Sequence, residues 1–133
     1  MLAISRDILN DIVQKCNTAA PHEACGLLFG GEGVVSGWSL TENVAADPYR
    51  HFEIDPAALI AALRAEREGG ARVAGYWHSH PSGDARPSAI DAASAAPDGR
   101  LWLILAGGEA AIWRAVAAGA VHGRFDPVEL AIT

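Results

Sequence analysis

Two histidines one residue apart, His78 and His80, followed by a proline turn and then by Ser88 and Asp91, constrain this chain more than anything else in it. In an extended strand, residues two apart project from the same face roughly 6 to 7 Å apart, so the two imidazoles can aim at one point while Trp77 and Ser79 face the other way. Pro81 to Gly83 is a turn composition that returns the chain towards the same point. A short alanine-rich helix over Ser88 to Ala96, ended by Pro97, would then bring the Asp91 carboxylate to a third vertex. The unit therefore has to be strand, turn and helix. Two nitrogens and one oxygen, with no fourth protein donor in the pattern, match a catalytic metal site that leaves a position open for water.

The rest of the chain supplies the frame. Ser5 can cap a helix carrying Ile8, Leu9, Ile12 and Val13, so that Met1 to Val13 reads as amphipathic and Pro21 ends the element. Ala24 to Phe29 and Val34 to Leu40 flank Gly30-Gly31-Glu32-Gly33 as two strands of a hairpin. Thr41 to Tyr49 reads as a loop, and His51 to Ile54 as a short extended piece. Asp55-Pro56 is a cap followed by a first-turn proline, and it opens a helix with a buried stripe of Leu59, Ile60 and Leu63, stopped by Gly69-Gly70. Arg72 to His80 is a strand, Leu101 to Leu105 a fully buried strand, and Ala110 to Ala117 with Val121 to Phe125 a hairpin around Gly119; Val128 to Ile132 adds an edge strand. Strands alternating with helices give the α/β class, a mixed sheet with helices packed on it.

At 133 residues, half of them apolar, the chain has material for one hydrophobic core, and residues 1–133 read as a single domain beginning at residue 1 without a signal peptide. A formal charge of -6 and the absence of any Lys/Arg cluster argue against a nucleic-acid partner. The longest apolar stretch, Ala57 to Leu63, is far below the roughly 20 residues of a membrane span. Cys16 and Cys25 have neither disulfide-framework nor C-x-x-C spacing, and a reducing cytoplasm is the default location.

A divalent ion held by His78, His80 and Asp91 could lower the pKa of its water from about 15.7 towards about 7. A second carboxylate must then move protons, and Glu23, at the mouth of the first strand, is the candidate base. Taken by itself, Glu23 reads as an ordinary exposed carboxylate, since nothing local forces it towards the metal. Ser88, three residues before Asp91, suits either a helix cap or a hydroxyl donor to an oxyanion. His22, His51 and His122 read as surface or core histidines, the four tryptophans as packing, and Arg64, Glu66, Arg67 and Glu68 as a solvated helix face. A thiol nucleophile at Cys25 would leave the paired histidines without a purpose.

At these residues the sequence resembles the JAMM metalloprotease family, also called MPN-plus, whose signature is an upstream glutamate followed by H-x-H, S and D at the spacing found here. Supporting it are Glu23-Ala24-Cys25-Gly26-Leu27-Leu28, Phe52-Glu53-Ile54-Asp55-Pro56, and Pro81 and Pro87 around the site loop. The resemblance spans nearly the whole chain and is nearest to the compact prokaryotic branch, without the long insertions of eukaryotic deubiquitinating members. It implies a curved mixed β-sheet flanked by helices, related to cytidine deaminases. It also implies Zn2+ on His78, His80 and Asp91, Glu23 as acid/base, and Ser88 on the oxyanion side. The implied reaction is hydrolysis of a peptide or isopeptide bond after the C-terminal glycine of a ubiquitin-like protein, by analogy a sulfur carrier. Two rivals remain: a fold relative that only docks partners, against which the intact ligands and Glu23 argue, and a nucleoside deaminase, whose H-x-E and P-C-x-x-C signature is missing.

Overall fold

The alternation of apolar residues in Leu101–Ala106 sets the layout. In the computed structural model, which describes residues 1–133, this strand is buried throughout. Leu101, Leu103 and Leu105 enter one core cluster, while Trp102, Ile104 and Ala106 enter another on the opposite face. A strand buried on both faces has to lie inside a sheet covered on both sides.

In chain order the elements are β1 (Leu2–Ile4), α1 (Arg6–Ala19), β2 (Cys25–Phe29), β3 (Val34–Val35), β4 (Gly37–Thr41), α2 (Pro56–Arg67), β5 (Val73–Ser79), α3 (Ala89–Ser94), β6 (Leu101–Ala106), β7 (Glu109–Gly119), β8 (Gly123–Val128) and β9 (Leu130–Ile132). The main sheet has six strands in the order β4-β2-β5-β6-β7-β8. Only β5 and β6 run parallel; every other neighbouring pair is antiparallel. A second, three-stranded sheet, β3-β1-β9, is parallel throughout.

The α/β class and the mixed sheet are as expected, and Ser5 caps α1 by accepting from the Ile8 amide. Leu9, Ile12 and Cys16 of α1 pack with Leu28, Trp77, Leu103 and the small sheet on one face of the main sheet. Phe52, Trp102, Trp113 and Phe125 form the core of the other.

Three expectations need correction. Residues 2–4, assigned to the first helix, form β1, because Leu2 and Ile4 are drawn into a ladder with β3 and β9 that sequence periodicity cannot show. The stretch Val34 to Leu40 is not one strand: β3 leaves for the small sheet, and only β4 pairs with β2. Finally, α2 starts at its Asp55 cap as foreseen but buries no side chain, and Ile60 is 55% exposed. The helix lies against β5, and the Leu59 and Leu63 stripe is only half covered. Its solvated face is also narrower than the charges suggest, since Glu66 is half-buried and accepts from the Val73 amide at 3.1 Å. No helix is long and apolar enough to cross a membrane.

Candidate metal centre

The register between β2 and β5 brings Cys25 opposite His78, which places Glu23, two residues before Cys25, beside the end of β5. A reciprocal pair of bonds locks this register: the Ser79 amide donates to the Ala24 carbonyl at 3.1 Å, and the Ala24 amide donates to Ser79 Oγ at 2.9 Å. Ser79, which points away from the histidines, thus ties the glutamate's neighbour to the residue between them.

His78 is wholly buried and His80 sits just past the strand end, with its side chain 11% exposed. Their Nε2 atoms lie 3.0 Å apart. Asp91, brought in by α3, places Oδ2 3.2 Å from His78 Nε2 and 3.1 Å from His80 Nε2. Asp91 is the third residue of α3 and is held by the helix start, where Ser88 is the N-cap. Its amide donates to Ser88 Oγ at 3.0 Å, and its Oδ2 accepts from the Ser88 amide at 2.9 Å.

The second ring nitrogens differ. His80 Nδ1 lies 2.7 Å from the Asp84 carbonyl oxygen, which can only accept, so Nδ1 carries a proton; Nε2–H donates to Asp91 without an ion and would give up that proton to offer its lone pair to one. His78 Nδ1 is buried without a partner. Packing orients that ring instead: Phe52 stacks on it at 4.2 Å with planes 20° apart, and Trp102 meets it edge-on at 5.7 Å.

Electrostatics follow from burial and this pairing. Burial lowers the His78 pKa, keeping the imidazole neutral. For His80 burial works downward too, but the bonds to Asp91 and Asp84 outweigh it and the pKa rises. Asp91 is pushed up by burial, yet the hydrogen bonds from His78 and His80 win and hold it well below the usual carboxylate range.

Glu23, read from sequence alone as an exposed carboxylate, is 6% exposed. One of its oxygens and the ring nitrogens of His78 and His80 lie within 4.8 Å of one another. Glu23 Oε1 is buried with no hydrogen-bond partner, and burial raises the pKa to about 7. With Tyr49, Arg50, His80, Ser88 and Ile90 it lines an open cleft of about 270 Å³.

Three candidate ligand atoms form a near-equilateral triangle with edges of 3.0, 3.1 and 3.2 Å. A tetrahedral ion with bonds of about 2.0 to 2.1 Å needs ligand separations of about 3.3 Å. The donor set and its dimensions therefore fit a divalent ion, with a carboxylate beside it.

Other residues stand apart. His22 packs edge-on against Tyr49 at 4.5 Å on the surface, His122 is exposed, and His51 is half-buried. Cys25 is fully buried and burial pushes its thiol up to about 11, so it is no nucleophile at neutral pH. Asn43 and Phe52 matter more than their sequence context suggests. Asn43 lies in a stretch without periodicity, and Phe52 enters the sequence reading only within the run Phe52-Glu53-Ile54-Asp55-Pro56 that supports the resemblance.

Comparison with known proteins agrees with this geometry. Residues 5–117 match the family described as prokaryotic homologs of the JAB domain. The chain is 33% identical over 109 residues to a desampylase of Haloferax volcanii, covering 77% of this chain and 78% of that one. It is 36% identical over 91 residues to a probable TtuB-protein conjugate cleaving protease of Thermus thermophilus, covering 68% and 61%. Among solved structures, a protein of Desulfitobacterium hafniense superposes with a TM-score of 0.83 at 26% identity, covering 100% of this chain and 93% of that one. A JAB1/MPN domain protein of Archaeoglobus fulgidus shares the fold, with a TM-score of 0.65 at 22% identity and coverage of 99% and 97%. The histidine triangle thus lies within a domain whose sequence and fold both have known counterparts, and the chain belongs to the prokaryotic JAB domain family.

Proposed function

We propose that this chain is a zinc-dependent JAMM-type peptidase acting in the cytoplasm. Its reaction is hydrolysis of the peptide or isopeptide bond that follows the C-terminal glycine of a ubiquitin-like protein of the sulfur-carrier kind. The observation that carries the reading is the triangle of His78 Nε2, His80 Nε2 and Asp91 Oδ2 with an unpartnered Glu23 carboxylate beside it. The similarity to a desampylase and to a conjugate-cleaving protease supports the substrate class. A catalytic role for zinc is favoured by a donor set of two imidazoles and one carboxylate, beside which Glu23 serves as the base and not as a ligand.

In this mechanism His78, His80 and Asp91 would hold the ion. When bound, a divalent ion supplies Lewis acidity, lowering the pKa of water and polarising the scissile carbonyl. Glu23 accepts the proton of the attacking water on a carboxylate oxygen. The water oxygen bonds to the glycine carbonyl carbon. Ser88, whose oxygen already accepts from Asp91, keeps its O–H free to donate to the oxyanion that forms. Glu23 then returns the proton to the departing amine, the carbon–nitrogen bond breaks, and the carrier leaves with a glycine carboxylate.

The test offers the protein a sulfur carrier extended past its terminal glycine and, separately, a carrier joined through that glycine to a lysine side chain, with cleavage followed by mass. The expected result is release of the carrier ending in glycine, abolished by chelator and restored by zinc, and lost in Glu23→Gln although the metal stays bound. No cleavage of either substrate by the zinc-loaded protein would overturn the reading.

A further inference from the structure

Glu23 Oε1 is buried without a hydrogen-bond partner, so the carboxylate's position rests on packing and on how its main chain is held. Both of its peptide groups end on one surface segment. The Glu23 amide donates to the Pro48 carbonyl at 2.7 Å, and the Glu23 carbonyl accepts from Asn43 Nδ2 at 2.9 Å. The same Nδ2 also donates to the His51 carbonyl at 3.1 Å. On its other side Asn43 Oδ1 accepts from the amides of Ala45 and Glu53, each at 3.1 Å.

All four hydrogen-bonding positions of this amide are therefore filled, and only one assignment of its oxygen and nitrogen satisfies them. Asn43 closes the loop onto itself, alongside the Val44 amide's bond to the Glu53 carbonyl and the bridge between Asn43 and Ile54. The closed loop carries Phe52, which stacks on His78. One half-buried amide thus sets both the glutamate's main chain and the aromatic against the neighbouring imidazole.

We infer that Asn43 is a positioning residue: it acts through Glu23, holding the base's backbone so that a carboxylate with no partner of its own stays beside the two histidines. This rests on the function proposed above. An aspartate in its place is nearly isosteric but cannot donate, and would turn a negative oxygen towards two carbonyls. An alanine removes all four bonds.

The experiment uses Asn43→Asp and Asn43→Ala in two arms. Amide hydrogen exchange on the metal-free protein reads the staple without activity. The Glu23 amide is expected to exchange at least about tenfold faster in both variants, and the Glu53 amide in Asn43→Ala, where its acceptor is gone, while the Ser79 amide keeps its protection. Glu23 protection equal to wild type in both variants would overturn the inference. Turnover of the extended carrier by metal-loaded protein reads the positioning. The expected kcat loss is about 10- to 100-fold with KM and metal content unchanged, and no further loss in Asn43→Asp/Glu23→Gln beyond Glu23→Gln alone. Losses that multiply, or a fall in metal content that accounts for the lost rate, would also overturn it. A wild-type protein that cuts no carrier sinks the proposed function, and with it the kinetic role, while the exchange arm still decides whether Asn43 holds Glu23.

Discussion

Ser88 and Asp91 cap α3 reciprocally, and the Asp91 oxygen that accepts from the Ser88 amide at 2.9 Å is the same oxygen that faces both histidines. The helix start and the candidate metal site are therefore one structure. The two roles open to Ser88 on sequence grounds are compatible, because its oxygen accepts from the Asp91 amide while its O–H remains free over the cleft.

Ser88→Ala is expected to lose about 1 kcal/mol of stability from the missing cap and about 100-fold in kcat from the missing donor. Ser88→Thr retains both groups and should keep most of both. Denaturation midpoints and steady-state rates on the extended carrier separate the effects. If Ser88→Ala destabilised the protein but turned over normally, the serine would be a cap and nothing more.

Glu23→Gln should move activity and metal-free stability in opposite directions. Burial raises the Glu23 pKa from its ordinary 4.5 to about 7 in the fold. The folded state therefore holds this proton more tightly than the unfolded chain does. The stabilisation linked to it is fully present below pH 4.5 and is lost as pH rises through 7, amounting to on the order of 3 kcal/mol. Glutamine does not titrate. In the presence of chelator the variant should thus gain on wild type between pH 4 and pH 8, as urea unfolding at the two pH values would measure. A difference that stayed constant with pH would mean that Glu23 ionises normally.

The strand, turn and helix around the site were legible because each rests on local chemistry: alternation through His78 and His80, a proline turn, and a capping serine three residues before Asp91. The start of α2 was legible for the same reason, since Asp55-Pro56 needs no distant partner. What escaped depended on distant partners. β1 exists because residues 34–35 and 130–132 arrive beside it. Asn43 binds residues up to 20 positions away, and the Glu23 main chain is bound by Asn43 and Pro48, both distant in sequence. The half-exposed stripe of α2 fails for a related reason, in that periodicity reports which residues share a face and not whether anything covers it.

Gly26 offers a prediction about the frame. A methyl group there would meet the Ser39 carbonyl oxygen at 1.9 Å and Trp77 Nε1 at 2.4 Å. The glycine lets the buried indole cross β2 and donate to that carbonyl at 3.0 Å. Gly26→Ala must push apart β2 and β4 or expel Trp77, at a cost of about 3 kcal/mol or more. Thermal unfolding should show a large drop, and near-UV dichroism a changed tryptophan signal. An alanine variant with wild-type melting would show that the ladder yields easily.

Phe52→Leu tests how the buried histidine is aimed. His80 is oriented by its bond to the Asp84 carbonyl, but His78 Nδ1 has no partner, so beyond the contacts of Nε2 with Asp91 and His80 its ring plane is set by packing. Phe52 supplies the face of that contact and Trp102 the edge. Leucine keeps much of the apolar volume yet has no flat surface to set the ring's rotation, whereas alanine removes the wall altogether. Phe52→Ala should therefore cost about 3 to 5 kcal/mol, as truncation of a buried phenylalanine does. Phe52→Leu should lose far less stability but release zinc about tenfold faster, the scale on which supporting residues act at metal sites. Competition with a chelating dye measures the second quantity independently of turnover. Should Phe52→Leu hold zinc as wild type does while Phe52→Ala merely unfolds, the stacked ring would be packing rather than part of the metal centre.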